Sequence, residues 1–238
     1  MEIHYNQIDL QFNLKKCVAS CTPLWEYMEG YVNPQKNDGI VLAALAIDNY
    51  AGADDFFGRV FGENTRYQYR QIEKEGYSSR NLPIAERNSR LDELYAISTS
   101  ASERQGGAMN ETYFEYPKPL EEEDCSYYFH KVYGAFSPDN VWIGYIDLLF
   151  VGNWAALIHI FGHLAYLDLC KKGSFMVSLW FCMVKDIIEN YPTVKYIQYH
   201  MMDVGNPGLQ KWKKRVGLRP TKKFNALLIR VLKRGQNK

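Results

Sequence analysis

The chain has no CxxC pair, no GxSxG elbow, no GxxxxGK[ST] loop, no GxGxxG turn and no HExxH helix. These absences remove the simplest zinc-knuckle, serine-hydrolase, P-loop, dinucleotide-binding and zincin chemistries. Its five cysteines, Cys17, Cys21, Cys125, Cys170 and Cys182, are odd in number and unevenly spaced. That pattern is no disulfide framework and suits a reducing compartment. The opening residues, MEIHYNQIDLQFNLKK, lack a basic segment followed by an apolar one, so no secretory signal and a cytoplasmic location are expected. A membrane-spanning helix needs about 20 consecutive apolar residues. The most apolar stretch, Val141 to Leu169, is interrupted by Asp147, Asn153, His159, His163 and Asp168. Buried strands explain it better than a span, so no membrane partner is expected.

What is present is an ordinary globular composition. The 238 residues are 47% hydrophobic and 23% charged, enough for one large domain or two small fused ones and incompatible with extensive disorder. Aromatic residues reach 15%, including 18 tyrosines, which suits a β-rich core or stacking surfaces. The net charge of +1 conceals an asymmetry: Lys211 to Lys238 holds eleven Lys or Arg and no Asp or Glu, whereas Glu121 to Asp124 is wholly acidic. The basic segment 211–238 points to a phosphate-bearing partner, nucleic acid or a cofactor's phosphates, or else to a solvated helix face and tail.

The pattern of elements divides the chain near Pro117–Asp124, a segment with two prolines and an acidic run. Before it, Gly39–Tyr50 reads as a buried strand, Arg66–Glu75 as a charged helix stopped by Gly76, and Asn88–Ser100 as an amphipathic helix. After it, Tyr127–Phe136, Val141–Val151 and Trp154–Phe161 read as strands, the last two joined by a Gly152-Asn153 hairpin turn. Gly162 reads as a bulge or bend, and Tyr166–Cys170 as a short extension. Phe175–Asn190 is a helix with Ser174 as N-cap, Val194–Met201 a strand, Gly208–Val216 a helix stopped by Gly217, and Lys223–Val231 a last strand. Strand, hairpin, strand, helix, strand, helix, strand is a mixed α/β (α+β) plan.

This order resembles the GNAT superfamily of N-acyltransferases. Asn206, Leu209, Lys213 and Gly217-Leu218 look like that family's late Asn…Gly-aromatic pattern, and GLQKWKKRVG resembles the GLxxFKxxFG segment of its Fem-type peptidyltransferase branch. Upstream, RYQYRQIEKEGY and LDELYAISTSASERQGG resemble the helix and Arg-containing loop of that branch, so the resemblance covers about Arg66 to Pro220. It implies a mostly antiparallel mixed sheet flanked by helices. The chain would be a single unit over 1–238, with 1–116 a degenerate lobe or cap and 125–238 the acyltransferase-like core. It also implies transfer of an acyl or aminoacyl group to an amine of a large or charged acceptor, a nucleic-acid base among the options. The donor would be acyl-coenzyme A or, as in Fem-type enzymes, aminoacyl-tRNA. The alternative is a non-catalytic module binding nucleic acid or another ligand on the same scaffold.

The family's central helix receives the donor pyrophosphate at its start, usually through a glycine-rich loop. Here that position offers Lys171, Lys172, Gly173 and Ser174, with Asn206 further on: two cations, a glycine, a hydroxyl and a helix N-terminus. The alternative is a lysine-flanked helix start with a serine cap. For the proton carried by the attacking amine, candidate groups are His200 and Asp203 at the end of the Val194–Met201 strand, and Asp147 inside an apolar strand. Alternation places Tyr196, Gln198 and His200 on one face of that strand. Each has a plainer reading, a hydrogen-bonded sheet histidine or a solvent-facing carboxylate. Arg104 and Lys213 are candidate substrate-binding cations. His159 and His163 stand four apart, a weak metal signal on what reads as a strand, so a metal is not expected.

Overall fold

The computed structural model describes residues 42–104, 107–122, 128–151, 154–169, 174–202 and 205–221. Three long antiparallel strands form its backbone: β5 (Tyr128–Phe136), β6 (Trp142–Val151) and β7 (Trp154–Gly162). Each is rich in β-branched and aromatic residues that fit a pleated, buried surface. β6 and β7 close on the pair Val151↔Trp154, as a two-residue hairpin link requires; residues 152–153 themselves lie outside the described set. β2 (Ser78–Leu82) adds to the free edge of β5, while β8 (Tyr196–Met201), β1 (Leu42–Ala46) and β9 (Arg219–Thr221) continue beyond β7. The seven-stranded sheet runs β2-β5-β6-β7-β8-β1-β9. Every contact is antiparallel except β7 with β8. A separate pair, β3 (Glu103–Arg104) and β4 (Gly107–Ala108), stands apart.

Helices cover both faces. On one lie α1 (Ala53–Val60), α2 (Glu63–Lys74), the long α6 (Phe175–Asn190) and α7 (Pro207–Arg215). Their apolar sides meet Leu45, Tyr133, Ile146, Leu148, Ala155, Leu157 and Ile197 in the larger core. On the other, α3 (Ile84–Ser89) and α4 (Leu91–Thr99) cover Leu82, Val132, Phe136, Trp142 and Tyr145. α6 is apolar around most of its circumference, from Phe175 to Ile187, because it is wedged between the sheet and α1 and α2. Trp180 is fully buried and donates its indole N–H to Val216 O at 3.1 Å. The helix begins over a shelf with no side chains: Gly144 and Gly162 are opposite each other across β6 and β7. A Cβ on either would fall 2.7–2.8 Å from the Phe175 ring.

Several expectations change. Leu164–Leu169 is a short helix, α5, and not a strand extension, because His163 O receives the N–H groups of Tyr166 and Leu167. β1 stops at Ala46, and Tyr50 N turns back onto Ile47 O. The bulge in β7 sits at Ile158, not at Gly162. Asp147 pairs with His159 and Leu148 with Leu157, leaving Ile158 as the extra residue. A bulge reverses the alternation downstream of it. Ala155, Leu157 and Ile160 therefore face α6, while His159 and Phe161 face α4. Lys223–Val231 lies outside the described residues.

Candidate active site

β7 and β8 pair only at Trp154↔Tyr196, Ala155↔Ile197 and Ala156↔Gln198. Beyond that they diverge, and β8 carries no ladder partner for the edge of Leu157–Gly162. Between them opens a cavity of about 620 Å³ lined by residues of both strands, the loop around Arg104, the start of α6, and α7. It is lined from both faces of the sheet, by Ile160 from the α6 side and by His159 and Phe161 from the other. The walls are largely apolar, with Met176, Leu209 and Trp212 on the α6 side and Tyr113 opposite. Apolar walls around a few charged and titratable groups strengthen the electrostatic interactions made against them.

Five of the candidate residues meet in this cavity: Arg104, His159, Ser174, His200 and Lys213. Arg104 is anchored by the protein itself. It donates to Gly162 O (2.8 Å), Ile97 O (3.0 Å) and Ser100 Oγ (2.9 Å), and its guanidinium lies over Phe161. Ser174 caps the start of α6 by backbone position, its O receiving Val177 N and Ser178 N. Its hydroxyl makes no capping bond. His200 has φ +46°, left-handed for a residue with a Cβ, a strained conformation that often accompanies function. This turn ends the alternation of β8, so neighbouring Tyr199 and His200 both line the cavity. Burial, and then the Lys213 ammonium, hold the His200 imidazole below its usual pKa. Lys213 is almost wholly buried, with Nζ 5.2 Å from the Tyr199 ring.

Asp147 lies just behind the cleft. It is buried and bridges two histidines, accepting from His130 Nδ1 at Oδ1 (3.1 Å) and from His159 Nδ1 at Oδ2 (3.3 Å). Burial raises its pKa, but the two hydrogen bonds and the attraction of the rings outweigh it and hold the carboxyl down at about 2. His130 was not among the residues singled out in the sequence. The available signal was three polar groups, on β5, β6 and β7, each inside an apolar run. Asn206 caps α7, accepting Leu209 N at 2.9 Å, and does not reach the cavity lining. His163 packs edge-on against Tyr166 outside the lining. Among the described residues no group of three or more His, Cys, Asp or Glu is placed to hold a metal ion. Lys171, Lys172, Gly173 and Asp203 lie outside the described residues. The half-buried Cys182 thiol, pushed up to about 11 chiefly by burial, stands away from the cleft on α6. No described helix is long and apolar enough to cross a membrane.

The mixed sheet that opens between its two parallel neighbours, with a long helix crossing between them, is a fold shared with solved structures. FemX is similar over 77% of this chain and 60% of its own, with TM-score 0.53 and 11% identity. L-PGS from Bacillus licheniformis is similar over 81% and 63% (TM-score 0.47, 14% identity). A tandem GNAT protein from the clavulanic acid biosynthesis pathway is similar over 77% and 51% (TM-score 0.44, 14% identity). The chain thus spans between half and two thirds of the length of these structures, and at such identities the likeness is one of fold. No protein-family model matches the sequence, and no curated protein matches it.

Proposed function

We propose that this chain is an N-acyltransferase, passing an acyl or aminoacyl group from an ester or thioester donor to an amine bound in the β7–β8 cleft. The observation that carries this reading is the divergence of β7 and β8 beyond Ala156 and Gln198. It leaves the backbone edge of Ile158–Gly162 facing a cavity that also holds two histidines, two cations, Glu103 and the start of α6. Backbone N–H groups on such an edge are fixed donors for the oxyanion that forms when an amine attacks a carbonyl.

A phosphate-bearing donor suits the α6 end. The helix start carries partial positive charge, Ser174 has a hydroxyl not committed to capping, and Lys171 and Lys172 precede it in the chain. Acyl-coenzyme A bound there would supply a thioester. The terminal adenosine of an aminoacyl-tRNA would supply an ester, and the exposed Lys211 and Lys214, with the rest of segment 211–238, suit the longer polyanion. The test is calorimetric titration of the full chain with acetyl-coenzyme A and with aminoacylated tRNA, at low and moderate salt. Saturable binding of either one, weakened by Lys171→Ala with Lys172→Ala, supports the reading and identifies the donor class. Donor binding without transfer to any amine would mark a ligand-binding module on this scaffold. No binding of either at millimolar or micromolar concentration, respectively, would sink the proposal.

A further inference from the structure

Two histidines line the cleft beside the solvent-exposed Glu103 at its mouth, and a base must be able to take up a proton from an amine bound inside. Burial, and then the Lys213 cation, oppose a positive charge on the His200 ring. His159 stands on the opposite wall with a carboxylate behind it. Asp147 is ionised and can only accept, so His159 Nδ1 carries the hydrogen of the 3.3 Å contact. Nε2, on the far side of the ring, is left as a bare acceptor. It has no hydrogen-bond partner among the described residues, and the ring lines the cavity with 33% of the side chain exposed. Tyr113 and Tyr145 stand against its edges at 5.7 and 6.4 Å.

Two features of the fold aim this ring. The Ile158 bulge turns His159 away from the apolar α6 layer and onto the face that carries Asp147. A charged Asp147 is then kept in a strand whose neighbours are Ile146 and Leu148, where an apolar residue would pack at lower cost. His130 occupies the second carboxylate oxygen and fixes its orientation. The other charged or titratable groups near the carboxylate are Arg87, bonded to Lys118 O and Asn88 Oδ1, and Tyr145, bonded to Ser98.

Resting on the acyl-transfer reading above, we propose that His159 is the catalytic base of the cleft and that Asp147, shared with His130, is its positioning residue. The amine nitrogen forms the new C–N bond at the donor carbonyl carbon, and its proton passes to His159 Nε2. The donor C–O or C–S bond breaks, and the His159 imidazolium returns the proton from Nε2 to the departing alkoxide or thiolate. The products are an amide and a free alcohol or thiol. Asp147 stays ionised throughout and stabilises the imidazolium.

The test has two independent readouts on the full chain. With ¹⁵N-labelled histidine, and with His159→Gln and His130→Gln to assign signals, long-range ¹H–¹⁵N spectra read the tautomer of His159. Hydrogen on Nδ1 is expected, with the preference lost in Asp147→Asn; hydrogen on Nε2 in the native protein would overturn the proposal. In the second readout, acetyl-coenzyme A or aminoacyl-tRNA is the donor and a panel of small primary amines the acceptor. His159→Ala should lower kcat by about 10²–10⁴-fold with the donor KM nearly unchanged, and added imidazole should restore part of the rate. Asp147→Asn should lower kcat less and gain nothing from imidazole. Native-like turnover in His159→Ala refutes the base while leaving the transferase reading intact. A native protein that binds no donor and transfers nothing refutes both.

Discussion

The two walls of the cleft are built differently. β7 is the third strand of a continuous antiparallel ladder, nine residues long and supported along nearly its whole length by β6. β8 has six residues, meets β7 over three pairs only, and turns left-handed at His200, its penultimate residue. The carboxylate–histidine network sits on the first wall, across three strands, where a ladder fixes each backbone position. The second wall carries the buried cation and the turn. Groups that must be aimed within fractions of an ångström sit on the rigid side. The opposite side shapes the cavity.

The difference can be broken most severely from beneath. Phe175→Ala removes the ring that fills the space over Gly144 and Gly162, undermining the β7 wall and the start of α6 together. A loss of about 3–5 kcal/mol is expected in denaturant unfolding, and a loss below about 1 kcal/mol would mean the shelf is not tightly packed. Next in size is the carboxylate. The folded pKa of Asp147, about 2, is below its ordinary value, so its stabilisation is present above about pH 4 and lost as pH falls through 2. The gap in unfolding free energy between the native protein and Asp147→Asn should shrink by about 2 kcal/mol across that window. An unchanged gap at pH 2 would show that the network is not ionic. The smallest effect belongs to the other wall. Lys213→Met removes one of two causes that depress His200, so the midpoint of that ring, followed by NMR, should move upward but stay below its ordinary value. A stationary midpoint would show that burial acts alone.

Much of this fold was legible because its central elements are long and periodic. β5, β6, β7 and α6 announce themselves by apolar runs, and α7 by Asn206-Pro207 at its start and Gly217 after its end. β2 was missed because SSRNL has neither alternation nor apolar content; only the free edge of β5 makes it a strand. LAYLDL is equally compatible with strand and helix, and the backbone turn at His163 decides for α5. The site was legible as a set of residue types but not as a network. Arg104, His159, Ser174, His200 and Lys213 were each named, yet nothing local joins His130 to Asp147 and His159. That link depends on register across three strands, which is settled by pairing and not by any one segment.

The bulge at Ile158 makes the layer of every later β7 residue depend on one position staying out of the ladder. Any residue that tolerates the kink, Val or Thr included, would leave His159 where it is. Deleting the position outright would close the ladder with Leu157 and His159 on the successive partners Leu148 and Asp147, and would also leave the later layers in place. Flattening the strand with Ile158 retained is what would exchange them, turning His159 and Phe161 toward Met176 and setting Ile160 against the Asp147 carboxylate. Here one unpaired residue in mid-strand decides which layer receives the histidine.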